Sequence, residues 1–224
     1  MSTPLAIVAG AGPGLGQALI ERLRHRGYAA YGLNRSVPEG AEFTQAVDLS
    51  DSHVTARCAA DLIDTHGAPS LVVHNTAKLV IADFEHTSAE TFDATWRAMV
   101  LSAVNLAHAV LPSMVDNGGG TLIVSGATAS LRGGQRFAAF ASAKAGLRAL
   151  TQSLAREYGP KGVHVAHVIL DGIVDTPASR DLHSLDPDRM MDPVDIADTY
   201  LALAGQPPST WTHELDLRPR GETF

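Results

Sequence analysis

The chain carries a single cysteine, Cys58, among 224 residues. One thiol excludes an intramolecular disulfide and fits a reducing compartment. Its helical surroundings mark it as a packed side chain. Apolar runs are short: none reaches the ~18 residues of a membrane span, and no charged segment precedes the first one as in a secretory leader. The sequence therefore reads as cytoplasmic. Positive charge is scarce. Lys and Arg number 17 against 24 Asp and Glu, a net charge of −7, which argues against a nucleic-acid partner. Ten histidines are scattered without metal-ligand spacing, so no metal is expected. Repeats, low-complexity tracts and linkers are lacking too. With 45% hydrophobic residues, the length suits one domain, 1–224, with a full core.

What is present is alternation of strand and helix. An apolar run, Leu5–Val8, leads into Val8–Gly16, V-A-G-A-G-P-G-L-G, and then into an amphipathic segment, Gln17–Arg26. Strand, glycine turn and helix make a phosphate-binding layout. Gly10 suits the positive φ of a tight turn. Gly14 and Gly16 let a pyrophosphate and the helix approach the backbone, and the helix start offers free N–H groups to an anion. Gly12 and Leu15 belong to the same turn. The spacing is G-x-x-x-G-x-G, distinct from G-x-G-x-x-G.

Further strands are expected at Tyr28–Leu33, Phe43–Val47, Leu71–His74, Thr121–Ser125, Val163–Leu170 and Thr212–Leu217. Helices lie between them. One runs from Ser50 or Asp51 to His66. A long one reaches Met114, with Thr87 and Glu90 as its capping box. Another spans Phe137–Tyr158, and a last one runs from Asp192-Pro193 to Ala204. The segment Thr176–Met191 reads as irregular. This order predicts a three-layer α/β fold, a doubly wound parallel sheet of about seven strands in the Rossmann arrangement. Asn34 and Arg35 then fall at the carboxyl end of the second strand, where an adenosine ribose is met. No carboxylate stands there to accept from both ribose hydroxyls, and Arg35 can pair with a 2′-phosphate. The residues thus favour NADP(H) over NAD(H).

Together these residues resemble the short-chain dehydrogenase/reductase family over nearly the whole chain. The glycine spacing is similar at Gly10, Gly14 and Gly16. Asp48-Leu49 resembles the adenine-contacting pair, and His74-Asn75-Thr76-Ala77 resembles a degraded N-N-A-G. Asp171-Gly172-Ile173-Val174-Asp175-Thr176 is similar to P-G-x-x-x-T, with Asp171 in place of proline. The resemblance implies cofactor contacts at Asp48, Leu49, Asn75, Thr76, Ala77, Gly172, Ile173 and Thr176, a small-molecule substrate, and a homodimer or homotetramer built on the two long helices. It also implies that Lys144 bonds the nicotinamide ribose.

The family's other catalytic positions differ. Its Tyr corresponds to Phe140, its Ser to Ala127 and its Asn to Met99; Lys144 is retained. Ser125 and Thr128 lie close to the Ser position, so Lys144 and Ser125 are the candidate catalytic pair. Asp171 and His74, at strand ends, are further candidate proton donors. A positioned general acid contributes roughly 10²–10⁴ in rate, so loss of the Tyr leaves three readings. The chain is a reductase with another proton source, acting on C=C or C=N. Alternatively it is a nucleotide-binding sensor or scaffold without turnover, or a non-redox enzyme such as a lyase on the same fold.

Overall fold

The computed structural model describes residues 3–222. In chain order these form β1 (Leu5–Ala9), α1 (Leu15–His25), β2 (Ala29–Asn34), β3 (Thr44–Ala46), α2 (Ser52–His66), β4 (Pro69–His74), α3 (Ala89–Trp96), α4 (Ser102–Asp116), β5 (Gly120–Ser125), α5 (Ala138–Tyr158), β6 (Val163–Leu170), α6 (Pro177–His183), α7 (Pro193–Ala204) and β7 (Glu214–Leu217). The strands pair in the order β3-β2-β1-β4-β5-β6-β7, all parallel. The order reverses between β1 and β4. At such a switch point the connections leave in opposite directions and open a crevice beyond the strand ends.

Burial explains the near-continuous apolar strands. Leu5, Ile7 and Ala9 of β1 join the layer containing Leu62 of α2, Leu106 of α4 and Leu147 of α5, whereas Ala6 and Val8 join Leu19 of α1 and Ala197 and Tyr200 of α7. A central parallel strand buries both faces, so its pattern does not alternate with polar residues. Cys58 is buried and donates to Gln45 Oε1 at 3.2 Å. Burial pushes its thiol pKa up.

Local chemistry sets the helix ends. Asp51 caps α2, accepting from the His53 and Val54 amides at 2.9 and 3.0 Å. Gly27, at φ +85°, follows α1. Three expectations change. The cap of α3 is Ser88, whose Oγ accepts from the Thr91 amide at 3.3 Å, while the Thr87 hydroxyl donates to the Asp83 carbonyl at 2.9 Å. The long helix is also not uniform: a π turn, Arg97–Leu101, joins α3 to α4. Finally, Thr176–Met191 contains α6, closed by a reciprocal pair. The Ser179 amide donates to Thr176 Oγ1 at 3.0 Å and the Thr176 amide to Ser179 Oγ at 2.9 Å. The stretch Ala89–Asp116 reaches a mean hydropathy of 1.6 in its most apolar window, yet more than half of that window is buried in the fold. It is a core helix, apolar because it packs on the sheet and on α5.

Candidate functional site

The first crossover builds an anion cradle. Gly10 has φ +85°, and a Cβ there would lie 2.6 Å from the Asn75 carbonyl oxygen. At Gly16 a Cβ would run into the Gly10 carbonyl. Side chains are excluded at both places, so the turn packs closely against the end of β4 and the start of α1 packs closely on the turn. No side chain caps the start of α1, which leaves its first amides and the positive end of its dipole for a ligand.

A cavity of about 460 Å³ opens in front of this turn, within the usual range for ligand pockets. Gly10, Gly12, Leu15 and Gly16 line it from the glycine turn, Asn34 and Arg35 from the end of β2, and Asp48 and Leu49 from beyond β3. Asn75, Thr76 and Ala77 line it from the end of β4. Asp48 accepts from the Ser50 hydroxyl at 2.7 Å and the Ser50 amide at 3.0 Å. These bonds, with Arg35 nearby, hold its carboxyl below the usual range. Asn34 donates to the Ser36 carbonyl at 2.9 Å, and Arg35 is exposed and forms no ion pair among the described residues. The cradle, the free helix start and the cavity size fit a dinucleotide laid across the switch point. Lys78, Arg97 and Ser102 also line the cavity. Sequence reasoning missed all three, since each stands outside the quoted motifs.

Gly14, Lys144, Gly172, Ile173 and Thr176 do not line this cavity. Gly14, at φ +99°, faces the Thr176 methyl, leaving no room for a Cβ. A Cβ on Gly172 would meet Pro219 Cδ at 2.7 Å and Met191 Sδ at 3.1 Å, so close packing accounts for that glycine. The Ile173 carbonyl accepts from the Met191 amide at 2.8 Å.

Lys144 enters from α5 and is 3% exposed. Its Nζ donates to the Ser125 carbonyl at 2.8 Å, and burial brings its pKa down to about 8. The Phe140 ring centroid lies 5.8 Å from that nitrogen. Ser125 itself does not join Lys144 as expected. Its hydroxyl lies 2.8 Å from the Tyr200 hydroxyl of α7. Alternation along β5 is the cause: Ser125 shares the α1–α7 face with Ile123, and only its carbonyl reaches the lysine. Met99 is fully buried in the π turn. The Ala127 amide donates to Ser130 Oγ at 3.1 Å, and the Thr128 hydroxyl donates to Asp171. Asp171 Oδ2 also lies 3.3 Å from Arg218 Nη2.

His74 is 1% exposed, with Nε2 2.8 Å from Ser102 Oγ and 3.0 Å from Thr76 Oγ1. Burial first, and then the Lys144 charge, brings its pKa down to about 3, so the ring is neutral at physiological pH. Among the described residues no three His, Cys, Asp or Glu side chains converge to hold a metal.

Comparison with known proteins gives one answer. A short-chain dehydrogenase family model matches residues 4–186. A short-chain dehydrogenase/reductase of Hericium erinaceus is 32% identical over 191 residues, covering 77% of this chain and 75% of the relative. A crystal structure of a short-chain dehydrogenase from Rhodopseudomonas palustris superposes with a TM-score of 0.84 at 29% identity, covering 96% of this chain and 98% of that one. A metagenomic short-chain oxidoreductase solved in complex with NADP gives 0.84 at 25% identity, covering 97% and 98%. With the glycine cradle at the switch point and a matching seven-stranded sheet, the chain belongs to the short-chain dehydrogenase/reductase family and is an oxidoreductase of that type.

Proposed function

We propose that this protein is an NADP(H)-preferring reductase of a small molecule, acting on an activated C=C or C=N bond with Lys144 as the proton donor. The observation that carries this reading is the buried Lys144 ammonium beside the Phe140 ring. An acid works best with a pKa near the working pH, and burial has brought Lys144 there. Phe140 has no proton to give and supplies an apolar wall that keeps water away. The bound cofactor supplies the hydride. A conjugated or C=N substrate needs less proton assistance during hydride transfer than a simple ketone.

The cavity lining supports an allocation of the nucleotide to its walls. The glycine turn and the start of α1 take the pyrophosphate, Asp48 and Leu49 meet the adenine, and Arg35 pairs with the 2′-phosphate. Asn75, Thr76 and Ala77 line the opposite wall; Lys144, outside the cavity lining, takes the nicotinamide ribose by resemblance to the family as well as holding the proton. NADP in the metagenomic relative supports the choice of cofactor. The protein works in the cytoplasm as a homodimer or homotetramer. Trp96 on α3 is 44% exposed, which suits an assembly face on the long helices. Sedimentation at micromolar concentration should exceed the 23.6 kDa of one chain; a pure monomer contradicts that part of the reading.

The test is a fluorescence titration with NADPH, followed by a panel of ketones, enones and imines with cofactor oxidation as readout. Turnover of enones or imines but not simple ketones is expected. Ordinary ketone reduction by the wild type would mean that another residue gives the proton. Binding without turnover on any of them would favour a nucleotide sensor, the second reading, which Phe140, Ala127 and Met99 at the family's catalytic positions support.

A further inference from the structure

The large cavity is charged against the trend of the chain. The protein carries a net charge of −7, yet the cavity wall holds three cations, Arg35, Lys78 and Arg97, and one carboxylate, Asp48. Arg35 and Lys78 follow β2 and β4. Arg97 comes from a helix: it opens the π turn between α3 and α4, and Ala94 and Ala98 beside it line the cavity too. Two hydrogen bonds fix that wall to the rest of the site. The buried Asn105 side chain of α4 donates to the Leu49 carbonyl at 2.9 Å. The Thr76 hydroxyl donates to the Ala98 carbonyl at 2.8 Å. The helix wall is therefore tied both to the Asp48-Leu49 turn and to the end of β4, with Arg97 at its exposed lip.

The Arg97 guanidinium is already oriented. Its Nε donates to Asp93 Oδ2 at 2.8 Å, four residues back on the same helical run. A carboxylate meets a guanidinium at its edge, in the plane of the fork, so this bond leaves the flat faces uncovered. No aromatic ring among the described residues lies over them. Asp93 also offsets the charge. What Arg97 brings to the cavity is a held planar surface more than a net positive charge. Ala94 and Ala98 carry only methyl groups, so a flat ring can approach this wall closely. We propose that Arg97 is an adenine-stacking residue: its guanidinium plane covers a face of the base whose edge Asp48 and Leu49 meet. Arginine stacks on aromatic faces, whereas lysine is a point charge on a flexible stem. The proposal rests on the reading of this cavity as an NADP(H) site with the adenine at Asp48-Leu49.

The test is equilibrium titration with NADPH and with NADH, followed by cofactor fluorescence and needing no turnover. Arg97→Ala should weaken both nucleotides alike, by roughly 3- to 10-fold, because both carry the adenine. Arg97→Tyr, which keeps a flat ring, should bind NADPH within about threefold of the wild type. Arg97→Lys, which keeps only the charge, should lose as much as Arg97→Ala. Arg97 is exposed and its one ion pair lies at the surface, so these variants keep the fold. Unchanged affinity in Arg97→Ala overturns the proposal, as does a loss in Arg97→Tyr equal to that in Arg97→Ala. Full recovery in Arg97→Lys, or a loss confined to NADPH, overturns it too, since either would make Arg97 a phosphate contact. Failure of the wild type to bind NADPH or NADH would remove the dinucleotide reading and this inference together. Wild-type binding with an unmoved Arg97→Ala would remove this inference alone.

Discussion

Arg35→Ala should weaken NADPH and spare NADH. Arg35 stands at the carboxyl end of β2 on the wall of the cavity, exposed and without an ion pair among the described residues. Its guanidinium has no ion pair among the described residues to give up, although the Asp48 carboxylate on the same cavity wall already feels its charge. A charge-assisted hydrogen bond contributes about 1.5–3 kcal/mol. Exposure and salt reduce that, so about 1–2 kcal/mol is expected, or roughly 5- to 30-fold in Kd. Asn34 cannot substitute, being neutral and already donating to the Ser36 carbonyl. NADPH and NADH titrations, followed by cofactor fluorescence at two salt concentrations, make the comparison. The NADPH loss should shrink at higher salt, and NADH should change less than twofold. An equal loss for both nucleotides would refute the argument, because it would mean that Arg35 shapes the cavity and does not read the phosphate.

Phe140→Tyr places a phenol near the Lys144 ammonium, and measurable reduction of simple ketones should appear. Its gain should stay below the 10²–10⁴ of a fully supported acid, because Ala127 and Met99 offer no polar help; a ketone panel on the purified variant checks this. The stability of Lys144→Met tests burial of the charge. The folded pKa of about 8 lies below the ordinary lysine value of about 10.4, so folding disfavours the charged form. The penalty, about 3 kcal/mol, is full below pH 8 and is relieved as pH rises toward that ordinary value. Lys144→Met escapes it but leaves the Ser125 carbonyl without its donor, at a cost of about 1 kcal/mol. Thermal melts of the cofactor-free proteins should show the variant a few degrees more stable at pH 7. The difference should narrow by pH 10, and a variant less stable at pH 7 would contradict the assignment.

The sheet was legible because central parallel strands are buried on both faces and so largely apolar, as Leu5–Ala9 is throughout and Val163–Leu170 is apart from the buried His164 and His167. The glycine turn was legible because positive φ and close approach leave few other choices at Gly10 and Gly16. What sequence did not reveal depends on which layer covers a given face. Ser125 carries the right group at the right place in the chain, but parity along β5 points it at Tyr200. The π turn has no residue signature, so the meeting of Ser102, Thr76 and His74 could not be foreseen. Two helix starts were nearer to hand. Thr176 followed by Pro177 is a capping residue before a proline at the first helical position, and the α3 cap lay between adjacent hydroxyls, Thr87 and Ser88, which sequence cannot rank.

The central claim is that Lys144 supplies the proton that Phe140 cannot. The direct measurement is single-turnover oxidation of NADPH by wild type and Lys144→Met, with cofactor saturating and an enone or imine on which the wild type turns over. The account predicts at least a 10²-fold slower step in the variant with bound NADPH retained, and a wild-type rate that falls as pH rises through about 8. Turnover at the wild-type rate in Lys144→Met, with the same pH profile, would contradict it and move the search to Asp171 and His74.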